Sequence, residues 1–189
     1  MKIGLYFGSF NPVHIGHLII ANYALNSTDL QQVWMVVSPQ NPLKKSGSLL
    51  NEYSRLHLIQ TALEGEYNIK ASKIEFNLPK PSYTIDTLTY LKEQFPQHQF
   101  CVILGSDSLA NINKWKNYQF LIEQYELYIY KRPGFGVKKI AGTLINILDA
   151  PLLEISSTYI RNLIKEGKSI RYLLPESVKD EIEKNNYYR

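Results

Sequence analysis

The chain alternates between two kinds of hydrophobic pattern. Short segments that are apolar almost throughout are typical of strands buried on both faces, and longer segments with apolar residues every three or four positions are typical of helices. The predicted strands are KIGLYF (2–7), VWMVVS (33–38), IKASKIEF (69–76), FCVILG (100–105), YELYIY (125–130) and LLEI (152–155). The predicted helices cover residues 15–26, 51–64, 84–95, 116–124, 137–147, 157–166 and 175–185.

Strands and helices that take turns along a chain favour right-handed βαβ units. We therefore expect an α/β fold with a Rossmann-like, doubly wound, mostly parallel sheet, helices on both faces and a small helical C-terminal region. A chain of 189 residues can bury a substantial core as one domain. The predicted single domain spans residues 1–189, and its helical C-terminal part covers about 156–189.

Composition and charge limit the classes of function. Hydrophobic residues make up 44% and charged residues 20%, which is ordinary for a globular protein. The net charge is +4, but no basic run exceeds two residues, so a nucleic-acid-binding tail is not expected. Cys101 is the only cysteine, which excludes an intramolecular disulfide, and its apolar neighbours predict a buried thiol. No apolar stretch approaches the length of a membrane span, and no signal core follows Met1, so we expect a cytoplasmic protein.

Four polar loops follow predicted strands: GSFNPVHIGH, SPQNPLKK, GSDSLANINKW and ISSTYIR. Ligands of open α/β sheets bind beyond the carboxyl ends of the strands, where the strand order reverses. We therefore expect these loops to converge on one edge of the sheet.

The first loop has the composition of a phosphate-binding turn. Gly8 and Ser9 let backbone N–H groups approach an anion, and a helix that begins near His14 would direct its unpaired N–H groups to the same place. His14 and His17 are three residues apart and share a helix face. Their imidazoles can donate hydrogen bonds to phosphate oxygens and, if protonated, offset negative charge.

The last loop offers a second anion site. Ser156 and Ser157 are good N-cap residues, and Arg161 lies one helical turn beyond Ser157 and Thr158. Hydroxyl groups, helix-start N–H groups and a planar guanidinium together suit an anion such as a phosphate group.

Both loops resemble signatures of one superfamily. GSFNPVHIGH resembles the (T/H)xGH motif of the HxGH nucleotidylyltransferases, which are related in fold to class I aminoacyl-tRNA synthetases, and ISSTYIR (155–161) resembles their late ISSTxIR motif. The segments SPQNPLK, PSYTIDTL (81–88), GSDSLANINKW and KRPG resemble bacterial nicotinate-nucleotide adenylyltransferases over nearly the whole chain. The resemblance implies transfer of AMP from ATP to nicotinate mononucleotide, with Mg²⁺ bound mainly by the ATP phosphates rather than by protein ligands.

The resemblance also implies roles for individual residues. Catalytic roles fall on His14, His17, Lys44 and Arg161. ATP binding falls on Gly8, Ser9, Phe10, His17, Gly105, Asp107, Ser156, Ser157, Thr158 and Arg161. Binding of the acceptor nucleotide falls on Lys44, Tyr83, Thr84, Trp115 and Arg132.

Several alternatives stay open at the level of sequence. Two positions depart from the usual GGxFDP form of the first motif, which here has Phe7 and Asn11, and Asn11 is assigned no catalytic role. Trp115 is also compatible with a core position, Asp107 with a helix cap and Arg132 with a solvated loop. An enzyme that uses nicotinamide mononucleotide, or both acceptors, has nearly the same sequence requirements. An amino-acid-activating enzyme and a nucleic-acid-binding module fit less well, and a homo-oligomer is compatible with the sequence.

Overall fold

A computed structural model describes residues 1–40, 49–137, 140, 142–151 and 153–189. In this part of the chain six strands form one parallel sheet with the order β3-β2-β1-β4-β5-β6. The strands are β1 (Lys2–Gly8), β2 (Gln32–Val37), β3 (Ile69–Ser72), β4 (Gln99–Gly105), β5 (Leu127–Tyr130) and β6 (Ile145–Leu148). The strand order reverses between β1 and β4, which places the topological switch point directly after these two strands.

Helices cover both faces of the sheet. They are α1 (Ile15–Ser27), α2 (Glu52–Ala62), α3 (Thr84–Gln94), α4 (Ser106–Leu109), α5 (Tyr118–Gln124), α6 (Ser157–Lys165) and α7 (Glu176–Lys184), with 3-10 helices at Ile74–Asn77 and Ile112–Lys114. Buried residues of α1, α2, α6 and α7 share one core cluster, and those of α3 and α5 share another. The predicted doubly wound α/β fold is confirmed, and the sheet is parallel throughout.

The strand sequences explain this arrangement. Neighbouring residues of a strand point to opposite faces, so Leu5 packs in one cluster and Tyr6 in the other. A strand covered on both sides must be apolar at every position, as β4 is from Phe100 onwards. Cys101 is fully buried in this strand, and burial raises the pKa of its thiol to about 12.

Two predicted elements near residue 145 are wrong. The segment 137–147 was predicted to be a helix, but Ile145–Leu148 forms the edge strand β6 beside β5. Gly142 has a φ of +78°, which does not continue a helix. The described residues 153–155 of the predicted strand 152–155 are not in a strand, so irregular chain leads into the ISSTYIR segment.

The C-terminal helices pack on the main core. Ile160 of α6 and Val178 and Ile182 of α7 belong to the cluster that also contains β1 and β2 side chains. Among the helices in the described ranges, none has the length and apolar character needed to span a bilayer.

Candidate active site

The predicted site residues lie on segments that follow the carboxyl ends of strands. In a parallel sheet these ends share one edge, so each segment begins at that edge. Gly8 ends β1, and the turn after it leads to His17 in α1. Tyr83 precedes α3 and Thr84 begins it, whereas Gly105 ends β4 and Asp107 and Trp115 follow that strand. Arg132 follows β5, and the Ser156–Arg161 segment follows β6. Lys44 lies outside the described residues.

The turn after β1 is built around a buried phenyl ring. Phe10 has a φ of 45° and is only 2% exposed. A Cβ on Gly8 would lie 2.7 Å from the Phe10 ring, so only glycine fits at that position. Because the ring lies beneath the turn, any contact of Phe10 with a nucleotide must come from its backbone.

The two histidines stand face to face at the start of α1. Their ring centroids are 3.7 Å apart with an interplanar angle of 27°. His14 is the N-cap residue, and its backbone N–H donates to Nδ1 of His17 at 3.3 Å. A Cβ on Gly16 would lie 3.1 Å from the His14 ring, so a larger residue would crowd the imidazole.

His14 is a neutral imidazole at neutral pH. It is 3% exposed, and burial, together with the positive charge of Arg132, lowers the pKa of this side chain from 6.5 to about 4. His14 can therefore contribute a hydrogen bond, but it does not supply the positive charge that the sequence allowed for. Cationic groups nearby must supply the charge.

The late motif contacts the first turn directly. Ser157 donates its hydroxyl hydrogen to the carbonyl of Pro12 at 2.9 Å, and the Arg161 guanidinium donates to the carbonyl of Asn11 at 2.8 Å. Ser156 caps α6 by accepting the N–H of Tyr159 at 3.2 Å. The other guanidinium arm of Arg161 donates to the hydroxyl of Thr158 at 3.2 Å. Two segments that are about 140 residues apart in the sequence are thus hydrogen-bonded to each other.

A cleft joins these segments. It contains about 380 Å³ of empty space, part of which is open to solvent. His14, Gly16 and His17 line one side, and the end of β5 with Arg132 lines another. Leu153 and Ile155, just before α6, complete the wall. The cleft thus brings together an imidazole pair, a guanidinium and the approach to a helix N-terminus.

The ends of β4 and β5 form a charged corner beside the imidazoles. A Cβ on Gly105 would lie 2.2 Å from Oδ1 of Asp107, so glycine leaves room for the carboxylate. Nε of Arg132 lies 4.0 Å from the same oxygen, and the guanidinium lies over the Tyr130 ring at 5.2 Å. The backbone N–H of Arg132 donates to the hydroxyl of Ser106. Arg132 is therefore held in the cleft wall rather than in a free loop.

A second group of predicted residues lies outside the cleft lining. Tyr83 is the N-cap residue of α3, Thr84 begins that helix, and Trp115 ends the 3-10 helix Ile112–Lys114. Lys116, next to Trp115, connects this segment to the start of α3. Its ammonium lies 2.8 Å from a carboxylate oxygen of Asp86 and 5.0 Å from the centre of the Tyr83 ring. Trp115 and Tyr83 both pack partly against the same core cluster.

Sequence patterns did not indicate the importance of Arg55. Its side chain is fully buried and donates to four backbone carbonyls: those of Ser9 at 2.6 Å, Ser38 at 2.9 Å, Pro39 at 3.0 Å and Leu50 at 2.8 Å. It therefore ties the turn after β1 to the segment after β2. An arginine within an otherwise helical, mixed sequence gives no local signal of such a role.

A buried carboxyl group was missed as well. Glu75 is 2% exposed and accepts hydrogen bonds from two hydroxyl groups next to the start of α3. No group of three or more His, Cys, Asp or Glu side chains in the described ranges is arranged to hold a metal ion.

Comparisons with known proteins agree with this geometry. A family model described as cytidylyltransferase-like matches residues 5–163. A Cytophaga hutchinsonii protein named "Probable nicotinate-nucleotide adenylyltransferase" is 51% identical over 100% of this chain and 98% of its own. A Flavobacterium johnsoniae protein of the same name is 50% identical over the full length of both chains.

Solved structures share the fold. The Plasmodium falciparum nicotinic acid mononucleotide adenylyltransferase complexed with NaAD superposes with a TM-score of 0.85, covering 99% of this chain and 97% of that one. The same enzyme complexed with APC gives a TM-score of 0.83, covering 99% and 96%. At 22% identity, these structures establish similarity of fold.

Proposed function

The chain belongs to the cytidylyltransferase-like family, and from this membership we propose that it transfers AMP from ATP to nicotinate mononucleotide, giving deamido-NAD and pyrophosphate in NAD biosynthesis. Full-length relatives with half of their residues identical carry the name of this activity. The observation that carries the proposal is the contact of Ser157 with Pro12, which joins the imidazole turn to the late helix start. The cleft is lined by residues near both partners, His14 on one side and Ile155 on the other.

The reaction needs no nucleophile from the protein. A phosphate oxygen of nicotinate mononucleotide attacks the α-phosphorus of ATP, and the bond from that phosphorus to the bridging oxygen of the β-phosphate breaks. Pyrophosphate leaves with the electron pair. The difficulty is to hold two polyanions in line, so positioning and charge compensation account for most of the catalysis.

The triphosphate is bound between the first turn and α6. The N–H groups of Ser157 and Thr158 begin α6 and have no acceptors within that helix, whereas the N–H of Ile15 at the start of α1 already donates to the carbonyl of Leu173. His17 and the neutral His14 donate hydrogen bonds to phosphate oxygens, whereas Arg161 and Arg132 supply positive charge. Asp107 and Gly105 bind the nucleoside part, and Lys44 assists at the reacting phosphates.

Mg²⁺ at this site would be held mainly by the ATP phosphates. The carboxylate of Asp107 lies 4.0 Å from the guanidinium of Arg132, and no group of three or more potential metal ligands occurs among the described residues. This arrangement fits an ion held by phosphate oxygens and water rather than by a protein cage. When bound, the ion offsets negative charge on the triphosphate.

The acceptor's pyridine ring lies at the start of α3. Trp115 and Tyr83 offer flat apolar faces there, and the first N–H groups of α3, at Thr84 and Ile85, have no intrahelical acceptors. A carboxylate at a helix N-terminus is stabilised by these donors and by the helix dipole. A neutral carboxamide gains less, which favours nicotinate over nicotinamide.

The test supplies the purified protein with Mg-ATP and one acceptor at a time, either nicotinate mononucleotide, nicotinamide mononucleotide or phosphopantetheine, and measures released pyrophosphate. We expect the highest kcat/KM with nicotinate mononucleotide. Release with phosphopantetheine alone would overturn the acceptor assignment, and no release with any acceptor would overturn the enzymatic assignment.

The same assay tests the imidazole pair. We expect His17→Ala to lower kcat by about 10²–10³, as is common when a donor to a reacting phosphate is removed. His57→Ala is the matched control, because His57 is largely exposed and lies 3.5 Å from Glu181, away from the cleft. Equal activity of the two variants would contradict a catalytic role for His17.

A further inference from the structure

Glu75 is held in place by the residues on either side of it. It lies in the 3-10 helix Ile74–Asn77 that follows the edge strand β3. Ile74 packs against one core cluster and Phe76 against the other. The short helix is therefore anchored at both flanks, and the Glu75 side chain is directed into the protein, where it is 2% exposed.

The carboxyl group of Glu75 bridges the hydroxyl groups of Ser82 and Thr87, and it also interacts with the hydroxyl of Ser38, which follows β2. One oxygen accepts from the hydroxyl of Ser82 at 2.7 Å, and the other accepts from the hydroxyl of Thr87 at 2.9 Å. Ser82 is 7% exposed and Thr87 is fully buried. Within the described ranges no lysine, arginine or histidine lies within ion-pair distance of Glu75, so its partners are neutral.

The two hydroxyl groups bracket the start of α3. Ser82 precedes the N-cap residue Tyr83, and Thr87 lies in the first turn of the helix. Tyr83 makes no side-chain capping hydrogen bond. In most helices the N-cap side chain fixes the entry of the chain and occupies an N–H group. Here Glu75 holds the residues on both flanks of the helix start, and no N-cap side chain occupies the first N–H groups of α3.

This arrangement is costly for stability alone. Burial raises the pKa of the Glu75 carboxyl, and its hydroxyl partners only partly offset this effect. An apolar or amide side chain would fill the same space without the cost of burying an ionisable group. A role in shaping the helix start explains why a polar side chain that can bridge two hydroxyl groups is buried here.

We propose that Glu75 is a positioning residue for the acceptor nucleotide, and that its bridge to Ser82 and Thr87 holds Tyr83 and the first N–H groups of α3 in the geometry that binds the pyridine ring and its carboxylate. This inference rests on the proposed function. It assigns Glu75 no contact with either substrate.

The test compares KM values for the two substrates. In Glu75→Leu we expect the KM for nicotinate mononucleotide to rise about tenfold or more, since a charge-assisted hydrogen bond that fixes the site is lost. The KM for ATP should change less than about threefold, because the triphosphate contacts lie on other elements. Glu75→Gln can still accept from one hydroxyl and donate to the other, so it should restore acceptor KM to within about threefold of the parent.

If Glu75→Leu does not fold, substitutions of similar size at its partner Thr87 test the same inference. Thr87→Val should raise the acceptor KM in the same direction, and Thr87→Ser, which retains the hydroxyl, should not. Thr89→Val is the matched control, because Thr89 lies on the same helix and donates only to the carbonyl of Ile85. It should leave both KM values unchanged.

Two results would overturn the inference while leaving the proposed function intact. One is an equal rise of both KM values in folded Glu75→Leu. The other is an unchanged acceptor KM in Thr87→Val. A parent protein that releases no pyrophosphate with nicotinate mononucleotide would instead contradict the proposed function, and the inference with it.

Discussion

At the scale of single residues, the buried imidazole of His14 shows how packing changes the chemistry that a motif supplies. Two histidines three residues apart can supply positive charge if they are protonated. Burial instead lowers the pKa of His14 to about 4. The imidazole can donate a hydrogen bond at neutral pH without adding charge, which suits a group that lies 3.7 Å from a second imidazole ring. The positive charge then has to come from arginine and lysine.

This shift predicts a pH dependence of stability. In the unfolded chain His14 binds a proton below about pH 6.5, whereas in the folded protein it does so only below about pH 4. The unfolded state therefore binds more protons in this window, and stability falls as the pH falls. A difference of 2.5 pKa units corresponds to a loss of about 3 kcal/mol between pH 7.5 and pH 4.

Urea unfolding of the parent and of His14→Asn at both pH values measures the effect. Asparagine can cap the helix but does not titrate, so the carboxylates contribute equally to both curves. Between pH 7.5 and pH 4 we expect the free energy of unfolding to fall by about 3 kcal/mol more in the parent than in the variant. An equal fall in the two proteins would show that His14 has an ordinary pKa in the folded state.

At the scale of elements, the docking of α6 on the first turn depends on a forked side chain. Arg161 donates from one arm to the carbonyl of Asn11 and from the other to the hydroxyl of Thr158. Lysine has a single ammonium group and cannot reproduce this fixed geometry. We expect Arg161→Lys to lower kcat/KM for ATP by about ten- to a hundredfold, the equivalent of one charge-assisted hydrogen bond.

Arg171→Lys provides the comparison for that variant. The Arg171 side chain is 59% exposed and lies beyond the end of α6, so its replacement should leave kcat/KM for ATP unchanged. Steady-state pyrophosphate release at varied ATP tests both variants. A loss in Arg161→Lys that is no larger than in Arg171→Lys would mean that charge alone, without the fork, is sufficient.

The elements also show where sequence patterns succeed and fail. Strands β1, β2 and β4 are predictable because burial on both faces requires apolar residues at every position. The edge strand β6 is different, since Asn146 and Ile147 are exposed and its pattern can be read as part of a helix. Its conformation is set by pairing with β5, and this long-range contact leaves no local pattern in the sequence.

At the scale of the whole molecule, the parallel sheet accounts for the convergence of loops that are far apart in sequence. The alternation of strands and helices was sufficient to predict it, because all carboxyl ends of a parallel sheet share one edge. Arg55 and Glu75 were not predictable in this way. Arg55 contacts Ser9, 46 residues away, and Glu75 contacts Thr87, 12 residues away. Side chains that join loops from the inside are visible only once the chain is folded.

Replacement of Arg55 is predicted to affect the stability of the whole fold. Four of its N–H donors satisfy carbonyls on three separate segments, and the side chain is fully buried. A methionine side chain is similar in length but cannot donate hydrogen bonds to these carbonyls. Each buried carbonyl that lacks a donor lowers the stability of the fold. Urea unfolding at pH 7 should therefore show Arg55→Met to be less stable by about 3–5 kcal/mol. The exposed Arg171→Met should change stability by less than about 0.5 kcal/mol. Similar free energies of unfolding for the two variants would mean that the loops hold together without the buried guanidinium.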